Sequence, residues 1–568
     1  MIPQAAGNVN TWVEGRCSSP WNYVHLDTRG NFCYYELTFS PGDAGLAKRK
    51  RYEDHMLLAP GERVPGRQGT YVVDRVAGMG SFGAVYSARD PALPGRHVAL
   101  KEFFAPRHPR ERGSLDALFE RERTVGDLAS PHPLMPTFYE AFEADGHHYI
   151  AQEFIEGATL DLIILKRHPL PRAWTLKWAV SLCDALAFLH SRGVVHHDLK
   201  PANIRITPQG HLALLDFGAA QYFGKGHEHE KPIDLYGTEG YLPPELDGDG
   251  QWVADARTDI FAVGCILYEM IAGTAPDQES INQRSMYVTN SLMQQPNADL
   301  GMIRLINKAL SYNTEYRYAS ANDFLLEMRQ IAPPVLLVTK KHLRFGEVTR
   351  GQSVTPQHLS LYNAGGGQIR GEIKPRTAWV MVTPVAFHHN RQEVGVGVDT
   401  SRIAERGQVV SGRLEINTPD IHDEEGRIVS QGDRWFVECS VMVTPRPGVL
   451  VVAERPAPNS PPIALAGRRG QEATGVFHLR NDGDTSVEFT VDTVGAITAT
   501  PSGGRVEPGQ EATIEVQAPT AGLPAGVHET TLTVRPAAGP ALTVPLSLHV
   551  QSPLAALKSV FGRREGRP

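Results

Sequence analysis

VVHHDLKPANI, residues 194–204, sets Asp198, Lys200 and Asn203 into a short polar loop that begins and ends on apolar residues. An aspartate in such a loop can accept or orient the proton of an attacking hydroxyl. An asparagine five residues further on can ligate a metal from the same loop. Lys200 can neutralise charge on a phosphoryl group in transfer. Downstream, LALLDFGAA (212–220) brings Asp216 to a strand end, followed by Phe217 and Gly218. A carboxylate there suits Mg²⁺, a hard cation that takes oxygen ligands.

Upstream, VAGMGSFGAVYSARD (76–90) spaces Gly78, Gly80 and Gly83 as G-x-G-x-x-G, with Val85 after them. That spacing alone is weak, because dinucleotide folds use it too. Its flanks, TYVVDRV and AVYSAR, alternate like strands, which fits a hairpin over phosphates better than a strand-to-helix turn. HVALKEF (97–103) follows, with Lys101 in a short apolar strand. A lone strand lysine is usually a solvated residue. After a glycine loop, Lys101 is expected to hold the α- and β-phosphates of ATP. Its carboxylate partner should come from the helix predicted over 114–134, where Leu115, Leu118, Phe119 and Val125 mark the buried face. Both Glu120 and Glu122 stand there, and Glu122 is preferred.

These five elements, in this order and spacing, identify residues 66–332 by resemblance as the catalytic domain of a bacterial, eukaryotic-like Ser/Thr protein kinase. The resemblance implies a two-lobed α+β fold with ATP in the cleft and transfer of its γ-phosphate to a protein Ser or Thr. It implies Asp198, Lys200, Asn203, Lys101 and Asp216 as catalytic residues. Mg²⁺, or alternatively Mn²⁺, would sit on Asn203 and Asp216. Gly78, Gly80, Gly83, Val85, Ala99, Lys101, Glu122, Glu153 and Ile155 would bind the nucleotide. YIAQEFIEGATL (149–160) resembles the hinge, with Gln152 as gatekeeper and Glu153 to Ile155 offering backbone groups to adenine. GTEGYLPPE (237–245) resembles the end of an activation segment. Asp259 resembles the brace of the catalytic loop, and Arg317 the partner of Glu245. Lys200 and Thr238 favour Ser/Thr over Tyr substrates.

Two positions depart from that pattern. His197 stands where the family has an arginine that commonly pairs with an activation-loop phosphate. The hydroxyl residues from 216 to 245 are Tyr222, Tyr236, Thr238 and Tyr241, and Thr238 holds the substrate-facing position. Activity is therefore expected not to depend on phosphorylation of that loop. His227 and His229 in GHEHEKP read as solvated loop residues. Arg205 replaces an apolar residue beneath adenine; its stem is expected to line the pocket while the guanidinium reaches water.

The rest of the chain bounds the function. With 568 residues it holds several domains. A net charge of −7, with 41% hydrophobic and 21% charged residues, marks a globular protein and not a nucleic-acid binder. The cysteines Cys17, Cys33, Cys183, Cys265 and Cys439 are too scattered for a disulfide framework, and Cys183 and Cys265 read as buried thiols. The longest apolar run, 260–273, carries Glu269 and is too short to span a bilayer. No transmembrane segment and no signal peptide are predicted, so the cytoplasm is the expected compartment.

Residues 1–65 form an aromatic-rich, β-rich extension and linker. Cys17, Cys33, His25 and His55 match no zinc spacing there, so two buried thiols in a small module are the preferred reading. Beyond residue 334 short alternating runs between turn residues predict β-sandwiches. LSLYNAGGGQI (359–369) matches FHLRNDGDTSV (477–487). Asn363 and Asn481, Val398 and Val516, and Leu414 and Leu532 are each 118 residues apart. Two copies of one immunoglobulin-like sandwich are expected, at 335–445 and 446–552, before a basic tail at 553–568 that reads as a frayed end. The sandwiches would recruit a protein partner or substrate. Two other readings compete: a pseudokinase scaffold that binds without transfer, and a structural or adhesive protein whose sandwiches are the working part.

Overall fold

The computed structural model describes residues 57–80, 83–91, 96–104, 112–223, 238, 240–246, 255–283, 286–404, 407–455, 457 and 460–551, with backbone strands at 23–26, 32–35, 51–52 and 55–56. The HEHE run, Tyr236, the tail from 553, Cys17 and the side chains of Cys33, His25 and His55 lie outside the described residues. The chain divides into two compact units. Residues 1–343, 356–396 and 413–438 form one, and 344–355, 397–412 and 439–568 the other.

The small lobe is a six-stranded sheet in the order Arg63–Pro65, Thr70–Gly80, Gly83–Arg89, His97–Phe103, His147–Glu153, Phe138–Ala144. Tyr71, Val73, Tyr86, Val98, Leu100 and Phe142 build its core on one face. Leu57, Leu58 and Val64 join that core, and Val64 pairs with Tyr71. The Leu58 N–H also donates to the Tyr86 hydroxyl at 3.2 Å. The small lobe thus begins before residue 66, because the apolar residues just upstream have their burial partners in this sheet. On the other face Phe119 of helix Arg112–Ala129 packs with Phe103, Ala141 and Ile150.

The large lobe is helical. Helix Ala256–Ala272 starts at Asp255, whose carboxylate accepts the Arg257 N–H, and stops at Gly273 in the left-handed region. It is buried on nearly every side, which explains why its sequence is apolar without a clear stripe. Gly264 lets helix Leu300–Ala309 approach: a Cβ there would lie 2.9 Å from Leu310 and 3.0 Å from Ala309. Helix Arg172–His190 buries Leu182, Leu186 and Leu189 as its spacing predicts, and Cys183 and Cys265 are buried. Among the described residues no helix is long and apolar enough to cross a membrane.

The described residues from 335 to 551 are β-rich and carry the repeat in their hydrogen bonding. Strand Gln357–Asn363 pairs Asn363 with Leu336 and Leu361 with Val338; strand Glu472–Asn481 pairs Asn481 with Leu450 and Leu479 with Val452. Each asparagine ends its strand. Asn363 Oδ1 accepts from the Val335 and Gly365 N–H groups, and Asn481 Oδ1 from those of Val449 and Gly483. The pair Ile373–Ile416 recurs as Val491–Val534. One match shifts: Leu359 pairs with Val394 and Phe477 with Ile514, so Val396, not Val398, corresponds to Val516. A two-residue shift keeps every side chain on its face, so alternation alone does not fix it. In the second copy the strands wrap one core that includes Leu465, Phe477, Ile514, Leu532 and Leu546.

Part of the first β-domain packs on the large lobe within the same compact unit. Trp435 stacks on His211 at 4.0 Å between ring centroids, and His211 Nε2–H donates to the Arg434 carbonyl at 2.8 Å. Burial holds His211 down at about 4, with Lys177 and Lys341 also opposing its charge and Asp433 favouring it. An unfolded histidine takes up its proton near pH 6.5. The stability tied to neutral His211 is therefore full above pH 6.5 and lost as pH falls toward 4, by an amount on the order of 3 kcal/mol. Melting curves from pH 7 to pH 4.5 are expected to show a fall in Tm that is shallower in His211→Phe. Equal slopes would contradict this.

Candidate active site

The glycine loop is a hairpin. Gly78 pairs with Val85, Met79 with Ala84 and Gly80 with Gly83; Ser81 and Phe82 lie outside the described residues. Gly83 has a steric reason: a Cβ there would sit 1.9 Å from the Glu102 carbonyl on the next strand. Among the described residues nothing lies within 4 Å of that position at Gly78. Val85 pairs with Lys101 and Ser87 with Ala99, which sets Lys101 on an interior strand.

Lys101 Nζ donates to both Glu122 oxygens, at 2.6 and 2.8 Å, and to Asp216 Oδ1 at 3.3 Å. Glu120 instead pairs with Arg123 on the exposed side of the helix. The sequence left these two glutamates open because they stand on different helix faces and the rotation of the helix was not fixed; packing of Phe119 against Phe103 turns Glu122 inward. Burial opposes the Lys101 charge, but Asp216 and Glu122 outweigh it and hold the ammonium above its usual range. Lys101 in turn holds Asp216 below the usual carboxylate range.

The catalytic loop is pinned from below. Asp259, buried in helix Ala256–Ala272, accepts the backbone N–H groups of His196 and His197 at 2.9 Å each and His190 Nε2–H at 2.8 Å. Burial opposes its charge, yet the His190 hydrogen bond and the charges of His190, His197 and His196 keep its carboxyl at about 2. His197 has φ 63°, an unfavourable conformation for a non-glycine residue that costs on the order of 1–3 kcal/mol and persists only where neighbours fix it. Its ring is buried, and desolvation lowers its pKa, so at neutral pH it carries no charge. His196 packs on Phe217, with ring centroids 5.6 Å apart.

Above this brace, Lys200 Nζ donates to Asp198 Oδ2 at 2.7 Å and to Thr238 Oγ1 at 2.8 Å, while the Thr238 hydroxyl donates to Asp198 Oδ1 at 2.8 Å. Asn203 Nδ2 donates to the Asp198 carbonyl at 2.8 Å and to Oδ2 at 3.1 Å. The Leu215 N–H bonds the Asn203 carbonyl at 2.8 Å, tying the loop to the strand that delivers Asp216. Asp216 is left-handed, at φ 61°, and its side chain is half exposed. Arg317 grips Glu245 through two bonds of 2.7 Å. All five sequence-predicted catalytic residues are thus linked in two polar networks, one through Lys101 and one through Asp198.

The hinge corrects one expectation. Arg205 does not leave its guanidinium to water alone: its NH1 donates to the Ile155 carbonyl at 2.9 Å. The strand pair Thr159–Arg205 brings the two segments together, a contact across 50 residues that local sequence does not reveal. Of the backbone groups of Ile155 offered to adenine, the carbonyl is already engaged. The Glu153 carboxylate accepts from Thr137 N–H and Oγ1 at 3.0 Å each and from Lys341 Nζ at 2.6 Å. Neither Lys341 nor His190 carries a motif signal, since each acts through a partner distant in sequence.

Residues 71–330 match the family model described as protein kinase domain. A probable serine/threonine-protein kinase of Streptomyces coelicolor is 32% identical over 274 residues, covering 46% of this chain and 39% of that protein. Serine/threonine-protein kinase PknB of Mycobacterium leprae is 30% identical over 274 residues, 46% of this chain and 43% of its own. Serine/threonine-protein kinase F of Synechocystis is 31% identical over 276 residues, 45% and 54%. The chain therefore spans about half or less of the relatives it matches. Residues 71–330 are a protein kinase domain, similar to those of bacterial serine/threonine-protein kinases.

Proposed function

We propose that the chain is an active Ser/Thr protein kinase that transfers the γ-phosphate of ATP to protein hydroxyls. The observation that carries this is Lys101, held by Glu122 from the small lobe and meeting Asp216 from the large one. A kinase needs that ion pair and the metal-binding aspartate in place together. In this reading Lys101 binds the α- and β-phosphates under the hairpin of Gly78, Gly80 and Gly83. Val85 and Ala99 line the adenine side, with the hinge at Glu153 and Ile155. Asp198 orients the attacking hydroxyl and takes its proton, and Lys200 offsets charge on the phosphoryl group. Thr238, bonded to both, keeps that pair aligned and stands where a substrate Ser or Thr would enter.

Asn203 and Asp216 supply amide and carboxylate oxygens, a donor set that fits Mg²⁺ or Mn²⁺. Asn203 directs its N–H₂ group at Asp198, which suits its oxygen to a cation. A bound divalent ion would neutralise charge on the phosphates.

Neutral, buried His197 offers no cation to an activation-loop phosphate. The proposed kinase therefore works without that modification. Phosphatase-treated protein, shown by mass spectrometry to be unmodified within 216–245, is expected to keep its rate within about twofold, because no ordering charge pair is lost. A drop of tenfold or more would contradict this. Lys101→Met is expected to lower transfer about 100-fold, the size seen when one charge-stabilising donor is removed. An unchanged rate would remove Lys101 from the site.

A further inference from the structure

Glu153 ends strand His147–Glu153 at the hinge, and it is gripped by a residue that follows the kinase domain. Lys341 Nζ donates to Glu153 Oε2 at 2.6 Å and to the Met135 carbonyl at 3.1 Å. Both side chains are largely shielded, at 14% and 17% exposure, so this pair is neither the fully solvated kind that contributes little nor a fully buried one. Lys341 is itself fixed, because its carbonyl accepts the Glu438 N–H at 2.8 Å.

The same face has further polar anchors. Lys177 pairs with Asp433 at 2.5 Å, and Asp433 also accepts the Leu336 N–H at 2.8 Å. The Tyr362 hydroxyl donates to Asp184 at 2.7 Å, beside His132 at 3.1 Å. All these residues belong to one compact unit. Those anchors hold the large lobe, whereas the Lys341 contact reaches the hinge strand.

We propose that Lys341 is a positioning residue for the nucleotide site: by holding Glu153 it fixes the hinge backbone, making the start of the first β-domain a working part of the kinase. This rests on the kinase reading above. Glu153 N–H bonds the Thr137 carbonyl at 2.8 Å, and the Glu153 carboxylate bonds Thr137 in return, so Lys341 closes a cluster around the segment that would meet adenine. Burial opposes the Glu153 charge, and Lys341 with His342 outweighs it, keeping the carboxylate ionised and able to accept all three donors. Loss of a contact that preorganises a binding segment weakens binding without altering the reacting groups.

The test uses the full-length chain, N-methylanthraniloyl-ATP with Mg²⁺ as the binding probe, and steady-state transfer. Lys341→Met is expected to raise the probe Kd and the KM for ATP about fivefold to tenfold with kcat within about twofold, a split that marks lost uniform binding. Lys341→Arg should recover most of the affinity, since it restores a charged donor. Tyr362→Phe, which removes an anchor away from the hinge, should lower Tm slightly and leave Kd unchanged. Lys341→Gln, a milder change, is measured in parallel so that poor folding of the methionine variant does not decide the result. Folded Lys341 variants with wild-type Kd and KM would overturn the inference, as would a Tyr362→Phe that weakens the probe equally. A wild-type chain that binds no nucleotide would instead overturn the kinase reading on which it stands.

Discussion

Asp198→Asn is expected to lower γ-phosphate transfer about 10³-fold, within the range for loss of a positioned proton acceptor. Nucleotide affinity should stay within about twofold, because uniform binding is separate from a transition-state contact. The carboxylate has two roles that the amide cannot fill. It accepts Thr238 Oγ1–H and Lys200 Nζ–H on its two oxygens, and in the proposed reaction it takes the hydroxyl proton. The isosteric amide keeps the side-chain volume, so a folded, ATP-binding and inactive protein is the expected phenotype. Rapid transfer by Asp198→Asn, measured with labelled ATP, would assign the proton to another group.

Asp259→Ala should have the largest effect on the fold. It leaves two buried backbone N–H groups and His190 Nε2 without their shared acceptor. At roughly 1–3 kcal/mol for each stranded donor, a loss of about 4 kcal/mol is expected. It also releases the strained φ of His197, so the loop bearing Asp198 relaxes and transfer should fall at least about 100-fold in whatever protein remains folded. In the wild type this carboxylate, held at about 2, contributes stability that is full above pH 4 and lost as pH falls toward 2. Denaturant unfolding at pH 7 measures the loss directly. A variant with wild-type stability and rate would show that the loop is fixed by other contacts.

Most of the site was legible because it is written in short motifs. Asp198, Lys200 and Asn203 share one loop, and Gly78, Gly80 and Gly83 one hairpin, so spacing alone sets their relation. The helix over Glu122 could be placed but its rotation could not, and side-chain packing settled that. The Arg205 contact was not legible because its partner, Ile155, reaches it only through strand pairing. Lys341 lies 188 residues from Glu153, beyond any local pattern. In the β region the repeat was visible from Asn363 and Asn481, whose turn-forming bonds are specific. Strand register was less so, since alternation leaves a two-residue shift unmarked.

The most direct test of the central claim is transfer of labelled γ-phosphate from Mg-ATP by phosphatase-treated full-length protein, to itself and to a generic basic protein. Asp198→Asn serves as control, and mass spectrometry maps the products. Label is expected on Ser and Thr, absent in the control and formed before any modification within 216–245. Tight ATP binding with no transfer would contradict the claim and leave a nucleotide-binding scaffold.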